Sequence, residues 1–549
     1  MEPRPYLPIA ASFLVRAAKD SQKMFKPQSW FPTLLSTVLG FGAAVLTAAP
    51  SSAAERITVR WSGTDVTIAV DDLANFAQGR PVGADLRAVL ALLSPEVQQS
   101  IRSALIAPVP ISPNAIQQIV NRGDTFSIFL TRVGNVIRAE PPVSLTDPAI
   151  ATAITTAAQS PQGLSFLSAI QTFPSETILF DLNVFLSYIQ QLNEQLLATE
   201  GVVNRLQQRS QPADPALQQR YQAPGPNSVQ VQSFNWQDPQ RNRPVPTDLY
   251  LPSGTSRNLP LVVVSHGLGE TRQTFAYLAR HLASHGYAVA LPEHVTTSAR
   301  SFENVLVGIS SPPGPQALID IPTDIRFVLD QLATTPAAAR VQTQKAAVVG
   351  HSYGGYGALA VAGAPLSPVN ARQQCEPLDR FRNNLSTLLQ CIAINLPQPS
   401  YTLTDPRIVA AVAADGLASD VFGAAGLSQV TVPTLIWGGS RDVVTPPQPE
   451  AIAAFQQLGT RQKWLALAVK GTHFTVLPPN NQQPQGFQIP LPPELIGPSQ
   501  AAGNLLFQGL TLAFLDQTFR GQPATLLPST GTTTIATPEL TVLVTPQSP

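Results

Sequence analysis

The sequence predicts an α/β protein. A mostly parallel sheet flanked by helices follows a smaller, mainly helical N-terminal domain. Three observations predict this. From about residue 231, short apolar runs alternate with helical patterns, the signature of a parallel sheet covered on both faces. Residues 55–206 instead read as one hairpin followed by helices. Between them, residues 207–230 are rich in Gln, Pro and Ala, the composition of an exposed linker.

Composition sets the outer limits. The chain has 549 residues, of which 44% are apolar, so large cores can form. Only 12% are charged and 53 are proline, which assigns much of the chain to apolar elements and Pro-rich connections. Lys plus Arg and Asp plus Glu both number 34. Without a basic surplus there is no expected nucleic-acid partner.

The elements follow in chain order. Residues 30–49 are apolar and uncharged, lie behind a basic stretch and end in small residues. That pattern predicts a secretory signal with cleavage between Ala54 and Glu55. A retained membrane anchor is the alternative, since about 20 apolar residues span a bilayer. The only Met besides Met1 is Met24, which heads a compact basic start and is the expected initiator. Residues 55–61 and 66–70 flank Ser-Gly-Thr-Asp as a hairpin. Helices are expected over 84–93, 94–107, 113–122, 147–160 and 183–206; Ser94-Pro95 and Ser112-Pro113 read as caps with Pro at the first helical position. The catalytic-type domain is expected over 231–520. Within it, 363–407 forms a cap insertion beside the active site or, alternatively, a surface excursion. Residues 521–549 are Thr- and Pro-rich and are expected to be disordered. Their Leu-Pro-Ser-Thr-Gly resembles a cell-wall sorting signal but lacks the membrane segment that would have to follow. Cys375 and Cys391 are the only cysteines. Export would let them pair as a structural disulfide; two buried thiols are the alternative.

The chemistry is concentrated at Gly350-His351-Ser352-Tyr353-Gly354, placed between the apolar run 345–350 and a Gly- and Ala-rich helical segment. A sharp strand-to-helix turn exposes the serine hydroxyl and points a helix N-terminus at developing negative charge. Serine needs a general base. Of six histidines, His266, His281, His285, His294, His351 and His473, only His473 follows Ser352 on a separate loop after a strand. It is therefore the expected base. His281 and His285 have a metal-capable spacing but no third ligand, so no metal is expected. The orienting acid is Asp442, in Gly-Gly-Ser-Arg-Asp after the run 434–437, with Asp415, after the run 408–414, as the alternative. The oxyanion donors are the backbone N–H groups of Tyr353 and of Leu268, the latter in His-Gly-Leu-Gly after the strand 260–265.

These residues carry a resemblance. Residues of about 240–520 look like an α/β-hydrolase. Ser-His-Gly-Leu-Gly-Glu at 265–270, the segment 282–294 and Gly-His-Ser-Tyr-Gly-Gly at 350–355 resemble the platelet-activating-factor acetylhydrolase family. That resemblance implies metal-free hydrolysis of short or oxidised acyl chains on phospholipids, with Ser352 as nucleophile and an acid at Asp415. Gly-Gly-Ser-Arg-Asp-Val-Val-Thr-Pro and Gly-Thr-His-Phe are instead similar to bacterial cutinases and dienelactone hydrolases, which implies Asp442. The whole layout resembles exported cyanobacterial hydrolases with an uncharacterised N-terminal domain. The expectation is a periplasmic or extracellular serine esterase without cofactor. It would act on ester or lipid substrates and touch membrane surfaces transiently; its oligomeric state is not legible. A non-catalytic envelope protein on the same scaffold and a serine peptidase are the alternatives.

Overall fold

The computed structural model describes residues 53–549 except 92, 110, 122–129, 131–132, 142–148, 255–256, 377–383, 480–495 and 523–525. The expected signal segment and Met24 lie outside the described residues. Among the described residues no helix is long and apolar enough to cross a membrane.

Two compact units are present. Among the described residues, one comprises those up to Gln190 together with Asn304–Pro312; the other comprises those of Gln191–Glu303 and Pro313–Pro549. In the first, the hairpin strands β1 (Arg56–Trp61) and β2 (Thr64–Ala69) are joined by β3 (Ile137–Glu140) and β4 (Thr177–Asp181). The sheet order is β2-β1-β4-β3. The unit is thus less purely helical than expected. Strands β3 and β4 have only four and five residues, too short for periodicity to separate them from helix. Its helices include Pro95–Ile106, where the Ser94 hydroxyl caps Val97 N–H and Pro95 sits at the first helical position. Segment 304–312 belongs here because Ser112 N–H bonds Leu306 C=O and the Gln118 amide bonds Gly308 C=O.

The linker expected over 207–230 is largely regular structure. The helix Leu182–Arg209 runs through its start. Strand β5 (Ser210–Pro212) then pairs with the C-terminal segment. The helix Pro215–Gln222, capped by Asp214, buries Tyr221. Gln and Pro here cap and edge the larger unit instead of spacing it.

That unit is built on β6 (Val229–Asp238), β7 (Arg243–Pro252), β8 (Leu259–Ser265), β9 (Ala288–Pro292), β10 (Val341–His351), β11 (Ile408–Ala414), β12 (Thr434–Gly439), β13 (Lys463–Val469), β14 (Thr532–Ala536) and β15 (Thr541–Thr545). The sheet order is β5-β14-β15-β13-β12-β11-β10-β8-β9-β7-β6. Strands β9, β8, β10, β11, β12 and β13 are mutually parallel. Alternate side chains divide between the two faces. Leu261, Val263, Ala346 and Val348 enter one core with the helices α1 (Gln316–Thr334) and α2 (Tyr353–Val361). Val262, Val264, Ala347 and Val349 enter the other, with Ala276–Ser284 and α3 (Gln500–Arg520).

The tail expected to be disordered is corrected. Strands β14 and β15 form a hairpin, and β15 pairs antiparallel with β13. Leu540, Val542, Leu543 and Val544 are fully or nearly fully buried. Threonine is β-branched and suits a pleated, half-buried surface, so a Thr-rich alternating segment is a strand and not a solvated tail.

The parallel strands place their C-terminal ends side by side. Ser265, His351, Ala414, Gly439 and Val469 end β8, β10, β11, β12 and β13, and every predicted catalytic position follows one of them. This edge is where ligands bind in open α/β sheets.

Candidate active site

Ser352 sits between β10 and α2 with φ 55° and ψ −117°, a strained region for a side-chain-bearing residue. The glycines around it make the turn possible. A Cβ on Gly350 would lie 1.9 Å from Gly354 O, and one on Gly354 would lie 2.0 Å from Ser265 O. The strand, turn and helix are therefore packed backbone to backbone, with Ser352 at the apex.

His473 follows β13, and its Nδ1 donates to Asp442 Oδ2 over 2.8 Å. Asp442 is held in place by its own turn. Its Oδ1 accepts the Val444 and Thr445 N–H groups, and its Oδ2 accepts the Thr445 hydroxyl at 2.6 Å. Thr445 was not foreseen, although a hydroxyl three residues after an acid is a common local partner. No hydrogen bond joins Ser352 Oγ to His473 Nε2 among the described residues. Catalytic hydrogen bonds commonly tighten only with substrate bound.

Asp415 takes a different place. It is buried, has φ 45°, and bonds Gly439 N–H through Oδ1 at 2.8 Å. It does not bond His473. Its carboxyl lies within hydrogen-bonding reach of Asp442. Burial first, and the Asp442 charge second, push its pKa well above the carboxylate range. Of the two aspartates, Asp442 is the one that meets the histidine.

The predicted oxyanion donors come from the expected loops. Tyr353 is the first residue of α2, so its N–H has no intrahelical acceptor. No hydrogen bond from Leu268 N–H is found among the described residues. The neighbouring Gly267 faces Ser352: a Cβ there would lie 2.9 Å from Ser352 Cβ.

The insertion over 363–407 reaches this region. Ser386 N–H bonds Val444 C=O in the Asp442 turn, and Tyr353 OH bonds Leu389 C=O at 3.4 Å. Buried Glu450, not singled out by sequence, anchors it. Glu450 accepts from Asn384, Ser386 and Gln390 of the insertion and from Ala418 N–H, Ser419 N–H and Ser419 Oγ. Residues 377–383 lie outside the description, and a short helix covers Thr387–Gln390. Cys375 and Cys391 form a disulfide within the insertion. With Asp420 they are the one cluster of metal-ligating types among the described residues, and both sulfurs are already bonded to each other.

One family model matches the part of the chain that carries these strand ends. The match covers 261–487, and its description is "alpha/beta hydrolase family". Residues 261–487 belong to the α/β-hydrolase family. Residues 53–181 match a second model, described as an alpha/beta hydrolase of unknown function (DUF1400). No curated protein matches the chain.

The hydrolase domain also contains a second Ser-His-Asp array. Ser265 Oγ is 2.8 Å from His294 Nε2, and His294 Nδ1 is 2.9 Å from Asp324 Oδ2. All three residues are fully buried, so no substrate carbonyl reaches this serine. Asp324 also pairs with Arg241 and Arg243. Its chain order, serine then histidine then aspartate, differs from Ser352, Asp442, His473, and Ser265 is fully buried where Ser352 keeps 5% exposure. His281 is buried, with its ring against His285. Burial pushes its pKa down to about 4.

Proposed function

We propose that the protein is a serine carboxylic-ester hydrolase that works through an acyl-enzyme. The observation that carries this reading is the His473–Asp442 hydrogen bond at strand ends adjacent to the strained Ser352 turn. Ser352 Oγ attacks the ester carbonyl as its proton passes to His473 Nε2. The negative oxygen of the tetrahedral intermediate accepts from Leu268 N–H and Tyr353 N–H. Collapse breaks the bond to the alcohol, which leaves with the proton from His473. Water, deprotonated by the same nitrogen, then releases the acid and restores Ser352. Asp442 holds the Nδ1–H tautomer and stabilises the imidazolium.

The residues 265–270, 282–294 and 350–355 support short or oxidised acyl esters of lipids as the substrate class, reached by transient contact with a membrane surface. We further infer export to an oxidising compartment, an inference supported by the buried Cys375–Cys391 disulfide.

Ser352→Ala is expected to reduce hydrolysis of short-chain p-nitrophenyl esters by at least about 10⁴-fold and to abolish fluorophosphonate labelling, with the fold intact. Retained turnover or labelling in that variant overturns the reading. A wild type that neither labels nor turns over esters supports a non-catalytic role, and peptide cleavage without ester cleavage supports a peptidase.

A further inference from the structure

Glu270 takes no part in the chemistry above, yet it is buried at the centre of the site. Its two oxygens hold two different loops. Oε2 accepts Gly267 N–H at 2.8 Å, and Oε1 accepts His351 Nδ1–H at 2.6 Å. The far side of the His351 ring reaches a third loop, where Nε2–H donates to the His473 backbone carbonyl at 2.9 Å. With a carboxylate at one nitrogen and a carbonyl at the other, the ring must carry both protons. One ionised pair therefore ties together the oxyanion loop, the nucleophile turn and the base loop.

The oxyanion loop is pinned from its other side as well. His266 Nε2 accepts His294 N–H at 2.9 Å, which leaves the ring proton on Nδ1, and Nδ1–H donates to Gly267 C=O at 2.8 Å. Gly267 is thus held at its N–H by Glu270 and at its C=O by His266. In a trans peptide the C=O and the following N–H point in opposite directions. Fixing Gly267 C=O toward His266 therefore fixes the direction of Leu268 N–H. Glycine is required at 267, because a Cβ there would meet Glu270 Oε1 and Ser352 Cβ, each at 2.9 Å.

We propose that Glu270 is a positioning residue for the reaction, holding the Leu268 N–H, the Ser352 turn and the His473 loop in one register, with His351 as its charged relay. The inference rests on the esterase reading above. Charged and titratable groups around the pair are Asp415 and His473 on the His351 side, with the His473 ring 4.8 Å away, and His266 and Tyr277 on the Glu270 side. Burial opposes the charge on His351, and the Glu270 carboxylate outweighs it, raising the ring to about 9.

The test compares wild type, Glu270→Gln, Glu270→Asp and Ser352→Ala on a short-chain p-nitrophenyl ester across pH 6 to 10, with melting curves for each. Glu270→Gln is expected to lower kcat roughly 100-fold, the scale of an ångström-size misplacement of catalytic groups, with KM within about 2-fold. It is also expected to move the alkaline limb of the pH profile to lower pH, because His351 loses its anion. Glu270→Asp should recover part of kcat and restore the limb. Unchanged kcat and pH profile in a folded Glu270→Gln, beside an active wild type that labels at Ser352, overturns the inference and leaves the esterase reading standing. An inert, unlabelled wild type removes both. If Glu270→Gln does not fold, proton NMR of the wild type decides. Two downfield ring N–H signals from His351 persisting above pH 8 support the charged relay, and a ring that titrates near 6.5 overturns it.

Discussion

At the residue scale, the two aspartates near His473 take different places. Asp442 accepts from His473, and Asp415 sits behind it with a raised pKa. Asp442→Asn leaves the shape intact but removes the acceptor that fixes the His473 tautomer, so kcat is expected to fall about 10⁴-fold. Asp415→Asn keeps an oxygen to accept Gly439 N–H and removes the carboxyl from beside Asp442. It is expected to keep kcat within about 10-fold. Steady-state kinetics on the two purified variants checks this, and the reverse ranking would move the acid role to Asp415. The Ser352 turn and the strand-end positions of His473, Leu268 and Tyr353 were legible in the sequence because glycine spacing and the order of strands are local signals. Glu270 and Thr445 were not, because their roles depend on partners that only the folded backbone supplies.

At the scale of elements, the C-terminal hairpin carries the sharpest disagreement between composition and fold. Strand β15 covers the edge of β13, the strand that delivers His473, and β14 pairs with β5. Truncation after Gly521 would expose the unpaired edge of β13 and the apolar side chains packed beneath the hairpin. The shortened protein is expected to be recovered mainly as aggregate, in contrast to a control with only residues 546–549 removed. Soluble, fully active truncated protein would show the hairpin to be dispensable. Short strands such as β3, β4, β14 and β15 escape a sequence reading because four or five residues do not establish a period, and their pairing partners lie far along the chain.

At the scale of the whole molecule, proton uptake links the site to stability. His351 has a folded pKa of about 9, above its ordinary 6.5, so the folded state holds a proton that the unfolded chain releases. That stabilisation is fully present below about 6.5 and is lost as pH rises through about 9. Asp415, also raised, acts with the same sign. The melting temperature is therefore expected to fall between about pH 6.5 and 9.5. A melting temperature that rises over this range would contradict the charged His351 assignment. Export is tested at the same scale: N-terminal sequencing of the secreted protein should begin at Glu55, and recovery in the cytosol alone would count against it.

The sequence by itself determined the α/β alternation, the Ser352 turn and the place of His473 after a strand, because each depends on spacing along the chain. Tertiary structure decided which aspartate meets His473, which Ser-His-Asp array is reachable, that Glu270 joins three loops, and that the tail completes the sheet. Those outcomes depend on which strand ends are neighbours and which side chains lose water. Both are set by contacts between residues up to hundreds of positions apart, which no local pattern encodes.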